Sequence, residues 1–370
     1  MTIRQALTDW AAQCDADGVR RGMPPAAYTS SEMLAQEHQK VFKRSWIVVG
    51  HISQFQMPGD YVTAEIVDHP VLVVRGRDQA LRAFSNVCPH RSAIIAQGSG
   101  TCTMFRCPYH AWTYDLSGKL MGAPHMDKAA LRDIRLKELR LEIWQGFVFV
   151  NLDDDATPLA DDLADLEGRA APHGMADLKV VRTEDIEIAC NWKILVENFC
   201  ESYHVFCVHK VTLEDTTPTA TTEVLPGGRG FNHHTMQSSA PGGLERARAM
   251  GLRANGTTPG NLICIYPAMA LAMDPGNALW LSVMPTGPHS LRVRVSLALM
   301  PDESGTVPEN VAAEAWHGCK AFFNEDISVI EGIQKGMRAG TGNRAPLHPW
   351  EATNWEFSQY VVRMLGISQS

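Results

Sequence analysis

The stretch Cys88-Pro89-His90, then sixteen residues from Arg91 to Arg106, then Cys107-Pro108-Tyr109-His110 decides how the first half of this chain folds. It pairs a C-x-H with a C-x-x-H, and each pair lies between short strand-like runs. Both are therefore read as loops of β-hairpins. Two thiolates can hold one iron of a [2Fe–2S] pair while two imidazoles hold the other. Exchanging two thiolates for neutral imidazoles lowers the negative charge and raises the reduction potential. A Cys₂His₂ zinc site also needs four such ligands, but structural zinc sites mostly open with C-x₂₋₄-C. The β-rich surround, a proline after each cysteine and Trp112 just past the second loop favour the iron–sulfur reading.

Outward from these loops, the runs WIVVG, DYVTAEIV, PVLVVRG, LRAFSNV, HAWTYD and FVFVNL read as strands, and Ser117-Gly118 marks a hairpin. Residues 46–155 thus form a small all-β domain. Residues 1–45 read as a helical segment packing on the later domain, with Ser30 or Ser31 capping a helix whose Leu34, His38, Val41 and Phe42 share a face. An acidic, linker-like stretch from Asp153 to Asp162 leads into a short helix. In residues 156–370, LKVVRTEDIEIA, ICIYPAMALAM, ALWLSVMP and LRVRVSLALMP read as strands. NWKILVENFCESYH, the segment from Val311 to Met337 and NWEFSQYVVRML read as helices. The fold class is α+β, with an antiparallel sheet and a long helix laid against it.

Composition bounds the partners. The 370 residues suggest two domains at roughly 100–200 residues each. A formal net charge of -8 argues against a nucleic-acid or anionic-membrane surface. The N-terminus lacks the apolar core of a signal peptide. The longest apolar stretch, Leu262 to Met273, is too short to span a bilayer and contains Pro267. The chain therefore reads as cytoplasmic. Of nine cysteines, Cys14, Cys102, Cys190, Cys200, Cys207, Cys264 and Cys319 have no partner at ligand spacing and read as small buried apolar residues.

A second constellation lies in the segment from Glu197 to His209. Glu201 and His204, at i and i+3, share a helix face. His209 does not suit a continuous helix, so a break after His204 is expected to let both imidazoles converge on one ion. A 2-His-1-carboxylate face holds ferrous iron with open positions for O₂. Spacing alone leaves Glu325, Asp326 and Glu331 all open as the carboxylate.

The loop pair, with its C-x-H and C-x-x-H, resembles the Rieske proteins; Ser92 departs from their usual Gly after the Arg. The whole chain resembles the oxygenase subunits of Rieske non-haem iron oxygenases, through Glu201, His204, His209, Asp326, Glu331, Gln334 and the Asn191-Trp192-Lys193 opening. The resemblance implies an N-terminal all-β Rieske [2Fe–2S] domain, a C-terminal helix-grip catalytic domain, and Cys88, His90, Cys107 and His110 on the cluster. It implies His204, His209 and Asp326 on a mononuclear Fe(II). Glu201 is then a bridge between a neighbouring subunit's cluster histidine and an iron histidine of its own chain, in a head-to-tail homotrimer.

The Glu at the bridge, NVCPHR, CPYHAWT and the ESYH segment look similar to the branch acting on quaternary ammonium compounds: carnitine, glycine betaine, choline and stachydrine. That branch implies a monooxygenase hydroxylating a carbon next to nitrogen, with N-demethylation or C–N cleavage. An aromatic cage for the cation has candidates in Phe199, Tyr203, Phe206, Phe231, Tyr266 and Trp280. No G-x-G-x-x-G follows a strand, so a separate flavin or ferredoxin-type NAD(P)H reductase is implied. An aromatic-ring dioxygenase and a Rieske electron carrier without oxygenase activity are the competing readings.

Overall fold

The computed structural model describes residues 2–127, 131–239, 258–342 and 345–367. It divides into two compact units, one of Met1–Phe42 with Ala160–Ser370 and the other of Lys43–Leu159.

In the Lys43–Leu159 unit, ten strands form two sheets. They are β1 (Ile47–His51), β2 (Asp60–Ile66), β3 (His69–Arg75), β4 (Leu81–Ser85), β5 (Ser99–Thr101), β6 (Phe105–Arg106), β7 (Thr113–Tyr114), β8 (Leu120–Gly122), β9 (Glu138–Trp144) and β10 (Phe147–Asn151). The larger sheet runs β1-β10-β9-β4-β3-β2-β5 and the smaller β6-β7-β8, with antiparallel pairing throughout. Strand β9 is missed by a reading based on apolar runs. Its signal is alternation, with Leu139, Leu141 and Ile143 separated by charged residues. The expected turn at Ser117-Gly118 is present, and Gly118 supplies its positive φ of 79°.

The other unit opens with α1 (Ile3–Asp17), α2 (Ala26–Thr29) and α3 (Ser31–Lys40), the last capped by the Ser30 side chain. Its buried face is Met33, Leu34 and Glu37, while Val41 and Phe42 lie beyond its end. A carboxylate can be fully buried there because Lys193 Nζ lies 2.5 Å from Glu37 Oε1, and Trp192 Nε1 donates to Glu37 Oε2 at 2.9 Å. After α4 (Leu159–Ala170), seven strands make an antiparallel sheet. They are β11 (Lys179–Ile188), β12 (Glu223–Leu225), β13 (Phe231–Ser238), β14 (Thr258–Ile265), β15 (Met269–Asp274), β16 (Asn277–Gly287) and β17 (Ser290–Leu299), in the order β11-β17-β16-β15-β14-β13-β12. The apolar stretch Leu262–Met273 is thus two strands of a hairpin turning at Tyr266-Pro267, because Pro267 has no N–H for a ladder.

Among the described residues, four more helices follow in this unit: α5 (Trp192–Phe199), α6 (Val205–Val208), the 31-residue α7 (Glu309–Ala339) and α8 (Ala352–Met364). Helix α5 packs on α7 and on β14 and β16. The buried positions of α7 include Phe323, Asp326, Ile330, Gln334 and Met337, a three-to-four residue period that places Asp326 on its inner stripe. Among the described residues no helix is long and apolar enough to cross a membrane. The cysteine expectation holds for Cys14, Cys190, Cys200 and Cys264, which are buried, but Cys207 is exposed.

Candidate metal centres

Both cysteine loops are built the same way. Four residues after each cysteine the backbone turns left-handed, at Ser92 (φ 56°) and Ala111 (φ 58°). The N–H of each returns to the cysteine carbonyl, Ser92 to Cys88 at 2.9 Å and Ala111 to Cys107 at 3.0 Å. A residue of positive φ is required there, which is why glycine suits the position and why Ser92 is strained without breaking the turn. The cysteine amides are held too, Cys88 by Ala93 and Cys107 by Trp112, each at 2.8 Å.

These two loops bring the imidazoles of His90 and His110 to 4.7 Å between ring centroids. His90 lies flat on Trp112, 4.5 Å away with 3° between planes. Cys88 and Cys107 are buried in a core with Leu72, Phe84, Phe105, Trp112, Tyr114 and Leu116. The outcome is a dry thiolate side and an accessible imidazole side, since His90 and His110 are exposed. The Tyr114 hydroxyl lies 3.2 Å from Cys88 Sγ. Burial, reinforced by that sulfur, pushes its pKa well up, so it stays protonated and can donate to the thiolate. Two thiols and two imidazoles on paired turns are the donor set that a [2Fe–2S] cluster of this kind requires.

The second centre is assembled from distant segments. Helix α5 is capped by Asn191, whose side chain accepts from the Lys193 amide, and ends at Phe199. The break therefore falls before Glu201, not after His204. In a continued helix the His204 N–H would bond the Cys200 carbonyl. Instead Thr353 Oγ1 donates to that carbonyl, while Glu201 Oε2 accepts the His204 N–H at 3.1 Å. Glu201 Oε1 meanwhile accepts from His204 Nδ1 at 2.5 Å, so a single carboxylate ends the helix and aims the ring. His209 follows the short α6, and its Nδ1 lies 2.8 Å from Glu325 Oε2.

With both Nδ1 atoms occupied by carboxylates, both Nε2 atoms point at Asp326 Oδ1, 3.6 Å from His204 and 3.2 Å from His209. One ligand atom from each of His204, His209 and Asp326 lies within 4.8 Å of the others, and among the described residues they are the one such cluster. An imidazole that donates its Nδ1 proton to a carboxylate presents a more basic Nε2 lone pair, the tautomer a metal needs. Asn198 Nδ2 donates to Asp326 Oδ1 at 3.2 Å and steadies the third donor. Two imidazoles and one carboxylate on one face fit ferrous iron with positions left for exogenous ligands.

Of the three acids left open by spacing, Asp326 joins the histidines. Glu325 holds the His209 ring and also accepts from Thr212 Oγ1 at 2.6 Å; Thr212 first, then His209, hold its pKa below the usual value. Glu331 accepts the Ala189 N–H at 3.2 Å, and Gln334 Oε1 accepts the Asn191 N–H at 2.7 Å, so both tie α7 to the start of α5. Sequence reasoning missed the role of Glu325, and its adjacency to Asp326 gave no sign of it.

The six aromatic candidates do not form one group, although Tyr203 and Phe206 lie 5.8 Å apart. Phe231 and Trp280 lie on the sheet face away from α5, and Tyr266 stacks on Tyr360 at 4.5 Å. Tyr203 instead stacks on His348, 4.3 Å away and 3° from parallel, beside Trp350.

The fold and the two centres define a class. Residues 175–367 match the ring-hydroxylating alpha subunit catalytic domain and residues 45–141 the Rieske [2Fe–2S] domain, and the chain belongs to this family. Within it, the chain is similar to the carnitine monooxygenase oxygenase subunit of Escherichia coli (strain K12), 39% identical over 50% of this chain and 52% of that protein. It is also similar to the glycine betaine monooxygenase oxygenase subunit of Chromohalobacter salexigens, 34% identical over 56% of this chain and 46% of that protein. The matched part thus spans about half the length of these curated relatives. Among solved structures, a quaternary ammonium Rieske monooxygenase superposes with a TM-score of 0.82 at 25% identity, over 95% of this chain and 98% of that one.

Proposed function

We propose that the protein is the terminal oxygenase of a multicomponent system that hydroxylates a small quaternary ammonium compound next to its nitrogen. The observation that carries this is the convergence of His204 Nε2 and His209 Nε2 on Asp326, in a chain that also holds a two-cysteine, two-histidine loop pair. The substrate class is supported by similarity to oxygenase subunits named for carnitine and glycine betaine. Bound at these three residues, ferrous iron supplies reductive activation of dioxygen. The chain's part is to hold the donors: Glu201 and Glu325 fix the imidazoles, Asn198 fixes Asp326, and the apolar core keeps the cluster sulfurs dry.

In this reading Cys88, His90, Cys107 and His110 hold the cluster, and a separate cytoplasmic NAD(P)H-dependent reductase supplies electrons. The protein works as a homotrimer in which Glu201 meets a neighbouring subunit's cluster histidine. A single turnover tests it: the chemically reduced protein is mixed with ¹⁸O₂ and a panel of quaternary amines and aromatic acids. One labelled oxygen, or an aldehyde released from an amine, is the expected result. Two labelled oxygens on a ring would move the protein to the dioxygenases. No oxygen incorporation with any panel member, together with unchanged acceptance and donation of electrons in His204→Ala, would reduce it to an electron carrier.

A further inference from the structure

Strand β13 carries two adjacent histidines with opposite circumstances. His233 is paired at both ring nitrogens: Arg169 Nη1 lies 3.2 Å from Nδ1, and Nε2 lies 3.0 Å from Asn261 Oδ1. His234 is fully buried, yet neither Nδ1 nor Nε2 has a hydrogen-bond partner. Leaving a buried polar atom unpaired forfeits its hydration with nothing in return, and folded proteins rarely do it without a reason.

The face that His234 occupies supplies one. Asn232, two residues earlier on the same side of the strand, donates its Nδ2 to Cys200 Sγ at 3.3 Å, and Cys200 directly precedes Glu201. His234 therefore looks toward the iron-binding segment, while His233 looks away from it. The register runs His234–Leu262–Ala272–Leu279 across β13, β14, β15 and β16. Leu262 and Ala272 are only half-buried although Asn261, Ile263, Leu271 and Met273, on the other face, are buried. Leu262 and Ala272 thus keep part of their surface uncovered in the same row as a buried imidazole with nothing to bond. Burial first, then the neighbouring His233 and His204, push the His234 pKa down to about 3. The ring is neutral and offers one N–H and one lone pair.

We propose that His234 is a substrate-binding residue whose N–H anchors the carboxylate of a trimethylammonium carboxylate. This rests on the substrate class proposed above. A quaternary ammonium nitrogen has no N–H and cannot be oriented by hydrogen bonds. Orientation of such a molecule over the iron must come from its other end, and a neutral imidazole donor suits a carboxylate.

The test is calorimetric titration of the holoenzyme with a trimethylammonium carboxylate and with an alkyl trimethylammonium of equal length lacking the carboxylate. Wild type should prefer the carboxylate about 10- to 100-fold, the range a hydrogen bond to a charged group supplies. His234→Leu should lose most of that preference with unchanged iron and cluster content and little change for the carboxylate-free ligand. His234→Gln should regain part of it. His234→Phe replaces the leucine variant where that one does not fold. Wild-type discrimination retained in the apolar variant, or no preference in wild type, overturns the proposal. Binding of neither ammonium compound instead sinks the substrate class. The same variants titrated with whichever aromatic acid the ¹⁸O₂ panel identifies then decide His234, unchanged affinity overturning its role.

Discussion

The two metal centres are held in opposite ways. The cluster loops lie within residues 88–111, and each is closed by its own backbone, through Ser92 to Cys88 and Ala111 to Cys107. The iron face instead joins a helix end to the middle of α7, with His209 and Asp326 separated by more than a hundred residues. In the first centre, local turns set the ligand geometry. In the second, side chains do it: Glu201 and Glu325 each take one Nδ1. A centre of the first kind should be insensitive to distant substitutions, and one of the second kind should depend on residues that never touch the metal.

The largest effect should come from Asp326→Ala. The mononuclear iron is lost and single-turnover product falls to background, while the electron paramagnetic resonance signal of the reduced cluster persists. Loss of both signals would mean that the two centres fold as one and would break the contrast. Next, Glu325→Gln should weaken iron binding about 10- to 100-fold, as removal of an outer-shell carboxylate typically does. Glu201→Gln should do the same and in addition slow reoxidation of the cluster when substrate and O₂ are mixed in, a rate that stopped-flow absorbance follows. Equal reoxidation rates in the two variants would remove the bridging role from Glu201.

Two smaller effects probe the cluster side. Tyr114→Phe removes the hydroxyl beside Cys88 Sγ. One hydrogen bond is worth about 1 kcal/mol net, so the cluster potential should drop by about 40 mV in a redox titration. An unchanged potential would mean that the hydroxyl does not donate to the sulfur. Smallest is Ser92→Gly. The left-handed backbone costs a non-glycine residue roughly 1–2 kcal/mol, part of which is offset by the greater chain entropy of glycine. The Lys43–Leu159 unit should gain up to about 1 kcal/mol in a thermal melt followed through the cluster absorbance. A loss of stability would show that the Ser92 side chain has a role that the turn does not explain.

What could be read from the residues follows the same division. The strand runs, the hairpin at Ser117-Gly118 and the cysteine loops were legible because each is decided by neighbours in sequence. The same locality made α7 readable as a helix, but not which of its acids lies on the inner stripe, where the structure puts Asp326. Strand β13 was not legible. Its buried residues include Asn232, His233, His234 and Thr235, with no apolar alternation to mark it. The end of α5 was misplaced for a related reason: Thr353, from the start of α8, takes the Cys200 carbonyl that the next helical turn would have used.

By itself, then, the sequence determined the cluster loops, the two-part α+β organisation and, through its resemblance to a family, the three residues drawn together at the iron face. Short-range geometry and ligand spacing are written in consecutive residues. Only the tertiary structure decided that Glu325 orients a histidine, that Phe231 and Trp280 turn away from the iron side, and that His234 is buried without a partner. Each of those depends on which face of a strand or helix meets which neighbour. That is set by packing between segments distant in the chain, and spacing does not encode it.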